Sequence, residues 1–306
     1  MIRVNDLTKI YDKKKVVQNI SFHLSPGKCA ALIGPNGAGK TTTLRMLAGL
    51  IKPTEGHVSL DDYKENDIRK HIGYLPQHPQ FHSWMTGREF LIYAAQLSHL
   101  PKKEAAQKAD SLLNRFELQE MKNRKIKKYS GGMKQRLGIA QAIIHSPKVL
   151  LLDEPVSALD PIGRRTILNL MEQLKKETTL LYSTHILGDA EEVSDEILLM
   201  HKGAVVESGS LDKVKQRHNV DKITLRFAKD TKKYQNILEN LSSVIKTEYK
   251  KQTLQVYVTD PVIAKDEVLS LAVSEKWPLL HFEVGRTTLE DLFMKVVNEH
   301  AVADPI

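Results

Sequence analysis

The chain has 306 residues, of which 41% are hydrophobic and 27% charged, with 45 Lys and Arg against 37 Asp and Glu and one cysteine, Cys29. Such a length suits more than one domain of a water-soluble protein, the single cysteine excludes an intrachain disulfide, and no apolar run approaches the roughly 18 to 20 residues that cross a bilayer. The opening Ile2-Arg3-Val4 reads as strand rather than as a secretory leader, so a cytosolic protein is expected, and the net charge of +8 keeps nucleic acid and anionic membrane surfaces open as partners.

Residues 1 to about 85 alternate short strands and turns, with Ile20, Phe22 and Leu24 spaced to share one strand face. Cys29 to Ile33 is an apolar run bounded by Pro26-Gly27 and by glycines, and Arg45 to Leu50 continues with helical spacing, which gives strand, loop and helix. The loop is Gly34-Pro35-Asn36-Gly37-Ala38-Gly39-Lys40-Thr41, the spacing G-x-x-x-x-G-K-[ST] that cradles nucleotide phosphates. Glycines at 34, 37 and 39 open backbone conformations in which successive N–H groups converge on one anion at a helix start. Lys40 supplies a positive charge for the terminal phosphates, the Thr41 hydroxyl suits the Mg2+ that bridges them, and Thr42 is a plausible helper. A glycine-rich turn without a ligand is the plainer alternative.

From Thr86 to about Pro147 the pattern is helical, with Phe90, Ala94 and Leu97, then Ala105, Ala109, Leu112 and Phe116, at three- and four-residue steps. The basic run Lys122-Asn123-Arg124-Lys125-Ile126-Lys127-Lys128 reads first as a solvated surface and, by its position, not as a nucleic-acid site. Tyr129-Ser130-Gly131-Gly132-Met133 opens a helix that runs on through Leu137, Ala140 and Ile144, so a serine hydroxyl and glycine N–H groups lie at a helix amino end. That makes a second anion site. One nucleotide needs one cradle, and the economical explanation of two is a nucleotide sandwiched between two copies of the chain. Val149 to Leu152 is an unbroken apolar run, as in a strand buried on both faces, and it delivers Asp153-Glu154-Pro155 at its carboxyl end. Asp153 is the candidate to hold a magnesium hydration shell and Glu154 to polarise an attacking water; a carboxylate that merely caps a loop is the alternative. Thr179 to Tyr182 is a further apolar run, followed by Ser183-Thr184-His185, and His201-Lys202-Gly203 reads as a tight turn.

After Gly209-Ser210 the organisation changes. Ile223, Leu225 and Phe227 alternate as a strand; Tyr234, Ile237, Leu238 and Leu241 have helical spacing; Val244 to Tyr249 with Leu254, Val256 and Val258 suggest a hairpin. A helix follows Pro261 through Leu269, Leu271 and Val273, and Leu280, Phe282 and Val284 form a last strand. The order β-α-β-β-α-β is that of a ferredoxin-like sandwich. Thr287-Thr288-Leu289-Glu290-Asp291-Leu292-Phe293 then opens a helix, with Thr288 and Asp291 in capping-box spacing.

Taken in order, these motifs resemble the nucleotide-binding subunits of ABC transporters, and the likeness spans about residues 1 to 215. The resemblance implies an α/β P-loop NTPase fold with a helical subdomain at about 86–147, followed by an accessory α+β domain at 220–306. It makes Ser130-Gly131-Gly132 the family's signature, acting on the nucleotide held by the partner's phosphate loop, although Tyr129 replaces the usual Leu and Met133 the usual Gln. It makes Gln77 in Tyr74-Leu75-Pro76-Gln77 the Q-loop amide that reaches magnesium, Ser157-Ala158-Leu159-Asp160 the D-loop and His185 the switch histidine. Tyr11 falls where the family places an aromatic ring on adenine, and Trp84 and Phe81 precede the subdomain that meets the membrane subunit. Gln77 ending a strand, a structural His185, a Tyr11 in an ordinary turn and core roles for Trp84 and Phe81 are the plainer readings. The carboxyl-terminal extension resembles those of multidrug and ABC-2-type exporter ATPases. The expected activity is ATP hydrolysis by a homodimer that powers a separate permease, by preference an exporter, from the inner face of the membrane. The rival is a soluble ABC ATPase working on nucleic acid or ribosomes, against which stand the single nucleotide domain and the want of a sustained heptad run.

Overall fold

The computed structural model describes residues 2–60, 67–157, 159–217, 221–228, 232–250, 253–285 and 288–302. They fall into two compact units, Met1–Leu211 and Asp212–Ile306. In chain order the first holds β1 (Ile2–Tyr11), β2 (Lys14–Leu24), β3 (Cys29–Ile33), α1 (Lys40–Leu47), β4 (Glu55–Leu60), β5 (Ile72–Leu75), α2 (Gly87–Leu97), α3 (Lys102–Arg115), α4 (Gly131–Ile143), β6 (Val149–Asp153), α5 (Pro161–Leu174), β7 (Thr179–Thr184), α6 (Leu187–Val193), β8 (Glu196–His201) and β9 (Ala204–Ser210).

One sheet has the order β5-β6-β7-β3-β8-β9, and every pair in it is parallel except β8 with β9. Strands β3, β6 and β7 are buried along their whole length, which is why they read as unbroken apolar runs rather than as alternating ones. The β8–β9 hairpin closes on Lys202 and Gly203 with φ of 45° and 86°, the left-handed pair that a tight two-residue turn requires. A second sheet, β2-β1-β4, is antiparallel, and its Ile2, Val4, Leu7, Val17 and Ile20 join α1 and the large sheet in one core. The parallel strands β5, β6, β7 and β3 all end on the same edge, delivering Gln77, Asp153-Glu154, His185 and the 34–41 loop together. Ligands of such sheets bind at that edge.

Between β5 and β6 the described structure is helical, with α2 held by a full Thr86–Glu89 capping box. Two expected helix details are corrected. Helix α1 stops at Leu47, because Gly49 takes φ 68° as a C-terminal terminator, and Leu50 lies beyond it, 58% exposed. Helix α2 buries Phe90, Leu91 and Ala95 rather than Phe90, Ala94 and Leu97, so Leu97 points to solvent. Helix α3 buries Ala105, Ala109 and Leu112 as their spacing predicts. No helix among the described residues is long and apolar enough to cross a membrane.

The second unit holds most of α7 (Leu211–Arg217), then β10 (Lys222–Phe227), α8 (Lys232–Glu239), β11 (Val244–Lys250), β12 (Thr253–Val258), α9 (Pro261–Ser274), β13 (Leu279–Gly285) and α10 (Leu289–Val302). Its sheet order β11-β12-β10-β13 is antiparallel throughout, and α8 and α9 pack on the face that carries Ile223, Leu225, Leu254 and Val256. That is the ferredoxin-like arrangement. The expected helix and last strand are present; α9 buries Ala264, Val268 and Ala272 and leaves Leu269 and Val273 exposed, and edge strand β13 exposes Leu280 and Val284. The capping box at α10 is present, with the Thr288 hydroxyl accepting from the Asp291 N–H and Asp291 accepting from the Thr288 N–H. Thr287, like Ala158 in the 157–160 segment, lies outside the described residues.

Candidate nucleotide site

The 34–41 loop owes its course to three glycines that act differently. Gly37 and Gly39 sit at φ 81° and 103°, whereas Gly34 is required for space: a Cβ there would lie 2.4 Å from the Met200 carbonyl oxygen. The expectation that all three serve by conformational freedom therefore holds for two of them. Asn36, Gly37, Ala38, Gly39, Lys40, Thr41 and Thr42 line one pocket with Val16, Gln77 and Glu154, while Gly34 and Pro35 do not line it and touch it only through Lys40. The Lys40 ammonium is buried and donates to the carbonyl oxygens of Gly34 and Pro35 at 2.7 and 3.1 Å. Burial pushes its pKa down, and Glu154 and Asp153 oppose that shift.

Asp153 is fully buried at the end of β6. Its Oδ1 accepts from the Thr41 hydroxyl at 3.1 Å and from the Ser183 hydroxyl at 2.7 Å, while Oδ2 is buried with no hydrogen-bond partner among the described residues. A buried carboxylate oxygen left without a donor is costly unless a cation or its water shell satisfies it. Beside it, the Glu154 carboxylate accepts from the Gln77 amide at 3.1 Å and lies 3.4 Å from Nδ1 of His185. Glu154 holds φ 47°, a left-handed backbone that costs a non-glycine residue about 1–3 kcal/mol and that clusters at functional sites. Its N–H donates to the Ser183 hydroxyl at 2.8 Å. The edge thus collects a cation, an ordered loop of N–H groups, one carboxylate with a free oxygen and a second carboxylate shared by an amide and an imidazole.

Ser130, Gly131 and Gly132 are in a separate depression, with Met133, Glu117, Arg136, Leu159, Asp160 and Ile162 on its walls. Among the described residues none lines both pockets. Ser130 caps α4, its hydroxyl accepting from the Met133 N–H at 3.2 Å, and a Cβ added to Gly131 would meet nothing within 4 Å, so this helix end is open. Tyr129 explains its own departure from leucine: its buried ring lies under Gly87, where a Cβ would approach the phenol oxygen to 2.3 Å, and its hydroxyl donates to the Met121 carbonyl at 2.8 Å. Asp160 caps α5 through the Gly163 N–H at 2.8 Å.

Tyr11 is not brought to the phosphate pocket. It ends β1 paired with Lys14, 44% exposed, with the Lys9 ammonium 5.0 Å over its ring. Trp84 is exposed, not core, whereas Phe81 packs edge-on against Phe90 at 5.1 Å. Sequence reasoning missed Ser183 and Val16, both supplied by neighbouring strands; for Ser183 the available signal was its place in the strand end that precedes His185.

The chain matches the family model for ABC transporters over residues 17–157, and residues 209–297 match the model for the C-terminal domain of ATP-binding proteins like DrrA1-3. It is 44% identical to the ABC transporter ATP-binding protein YxlF of Bacillus subtilis, over 97% of this chain and all of that one. It is 35% identical to the bacitracin transport ATP-binding protein BcrA of Enterococcus faecalis, over 99% of this chain and 98% of that one. Among solved structures it resembles an ABC transporter ATP-binding subunit, with 32% identity and a TM-score of 0.64 over 71% of this chain and 92% of that one. A dimeric ATP-binding cassette, MJ0796, in a post-hydrolysis state with ADP and phosphate, is 28% identical with a TM-score of 0.63, over 69% of this chain and 99% of that one. The chain belongs to the ATP-binding proteins of ABC transporters, and it is an ATPase of that class.

Proposed function

We propose that two copies of this chain, facing head to tail, close on two MgATP and so drive a separate membrane permease, in the direction of export. The observation that carries this reading is the division of anion-binding equipment into two pockets with no lining residue in common among the described residues, one built around the buried Lys40 and one on the exposed amino end of α4. In the scheme the 34–41 loop and Lys40 hold the phosphates of one nucleotide, Tyr11 offers its exposed ring to adenine, and Ser130, Gly131 and Gly132 of the facing copy present N–H groups to the γ-phosphate. Glu154 takes the proton of the attacking water, and His185, within reach of the same carboxylate, positions it.

The residues present fit Mg2+. Thr41 and Gln77 would ligate it, and Asp153 would hold its hydration shell through the unpartnered Oδ2. When bound it would supply positive charge that offsets the negative charge of the nucleotide's phosphates.

The names of the bacitracin transport relatives support a permease partner, and exposed Trp84 is available for that contact. We read residues 1–215 as the motor, peripheral on the inner face of the membrane, and residues 220–306 as an accessory domain. Because ATP touches both copies only when they close, its binding shifts an open–closed equilibrium. The test is the mass of the Glu154→Gln variant in solution with saturating MgATP. A dimer that reverts to monomer on nucleotide removal is expected; a monomer under those conditions overturns the reading. Co-purification with a polytopic membrane protein, and not with ribosomes or DNA, is expected of the full chain.

A further inference from the structure

The left-handed backbone at Glu154 persists only if its surroundings over-determine it. Three contacts do so: the Glu154 N–H is held by the Ser183 hydroxyl, the Glu154 carbonyl accepts from the Ser157 N–H at 3.1 Å, and the carbonyl of the next residue, Pro155, accepts from the amide of Gln135 at 2.8 Å. The first two come from β7 and from the segment itself. The third comes from α4, the helix whose amino end is Ser130-Gly131-Gly132, and Gln135 lies little more than one turn further along it, buried to 8% exposure. Proline lacks an N–H, so the Pro155 carbonyl is the one backbone hydrogen-bonding group that residue offers.

We propose that Gln135 is a positioning residue that ties the amino end of α4 to the Glu154 carboxylate of the same chain. A helix is stiff along its axis, so a small displacement of its first turn carries the Gln135 amide with it. The Pro155 carbonyl follows, and the peptide that joins it to Glu154 turns the carboxylate relative to Gln77 and His185. Whatever anion docks on Ser130 to Gly132 is thereby felt at this chain's own phosphate pocket, although no described residue lines both. The inference rests on the reading of Glu154 as the group that activates water.

The test uses the full chain carrying Gln135→Met, which keeps side-chain length and helix propensity and removes the donor. Three quantities are measured: steady-state ATP turnover, affinity for a fluorescent ATP analogue, and the MgATP-dependent mass in a Glu154→Gln background. Turnover is expected to fall about tenfold or more with nucleotide affinity unchanged within about twofold and the dimer retained, the split that marks loss of an interaction at the chemical step. Turnover within about twofold of the parent overturns the proposal, and so does a fall in affinity or loss of the dimer in parallel with turnover, which would make Gln135 a support of the fold. Gln135→Glu, equal in size and unable to donate when ionised, must give the same split should the methionine variant fail to fold. Hydrolysis that survives Glu154→Gln unaltered would overturn the underlying reading instead, whatever the Gln135 variants do.

Discussion

The two anion-binding half-sites are built on opposite plans. Around the phosphate loop, Lys40, Asp153 and Glu154 are buried; Lys40 donates to the Gly34 and Pro35 carbonyls, and Thr41, Ser183, Gln77 and His185 link Asp153 and Glu154 in one network of hydrogen bonds across four strand ends. Around Ser130 the helix end is exposed, Gly131 has open space where a side chain would go, and Ile162 beside it is an apolar residue 78% exposed. A site meant to grip a ligand by itself repays such internal cross-linking, because pre-ordered groups lose little entropy on binding. An open helix end flanked by exposed apolar surface gains its environment when something covers it, and the second copy of the chain is the cover proposed.

The sharpest break between the plans is chemical. Glu154→Gln keeps the amide partner and the size of the side chain but removes the base, and turnover should drop about 100-fold or more with nucleotide binding intact, measured by phosphate release and by nucleotide titration. An effect of different kind separates the glycines. Gly39→Ala puts a Cβ on a backbone at φ 103° and 2.8 Å from the Val16 carbonyl oxygen; the left-handed strain alone costs about 1 to 2 kcal/mol, visible in the melting temperature, and nucleotide affinity falls with it. Gly131→Ala meets no atom in the isolated chain, so its melting temperature should stay at the parental value while turnover, which needs the covered helix end, falls.

Next in size is Ser183→Ala. It leaves the Glu154 N–H and Asp153 short of a partner, a loss of about 1–3 kcal/mol that should appear in stability and in turnover together.

The smallest effect lies in the second unit, whose buried groups are nearly all apolar and whose polar contacts support the fold. Burial pushes the Asp291 carboxyl up, but the Lys222 ammonium and the hydroxyl and N–H of Thr288 outweigh it, and the net shift is downward. A depressed carboxyl stabilises the folded state above its unfolded pKa of about 4 and loses that contribution as pH falls through the folded value. The stability of Asp291→Asn, derived from thermal melts, should therefore be lower than the parent's by about 1 kcal/mol at neutral pH and converge with it under acid.

What was legible in the chain was whatever is local. The phosphate loop, the Asp153-Glu154 pair at the end of an apolar run, the Ser130 cap and the Lys202-Gly203 turn are each specified by neighbours in sequence, and each is found in its expected backbone setting. Helical spacing identified α2 but not the face it buries, because an apolar stripe with Ala94 and Ala95 side by side does not say which neighbour it will meet; for α9 the spacing marked a helix without a face. Val16, Ser183 and Gln135 escaped notice for a related reason. Their places are set by which strand lies beside which, a tertiary fact that no motif spells out. The four parallel strands that make one edge out of Gln77, Asp153, His185 and the phosphate loop are likewise a property of the β5-β6-β7-β3 order alone.

The central claim, that one half-site of each copy completes the other, is open to a direct cross-link. The native Cys29 is buried and its thiol is held protonated by that burial, so it will not compete. With Asn36→Cys and Ser130→Cys introduced into the Glu154→Gln chain and mild oxidant added, the account predicts a disulfide-linked dimer that forms with MgATP, is absent without nucleotide and needs both cysteines. A chain that stays monomeric on a non-reducing gel with saturating MgATP, while still binding the nucleotide, would contradict it.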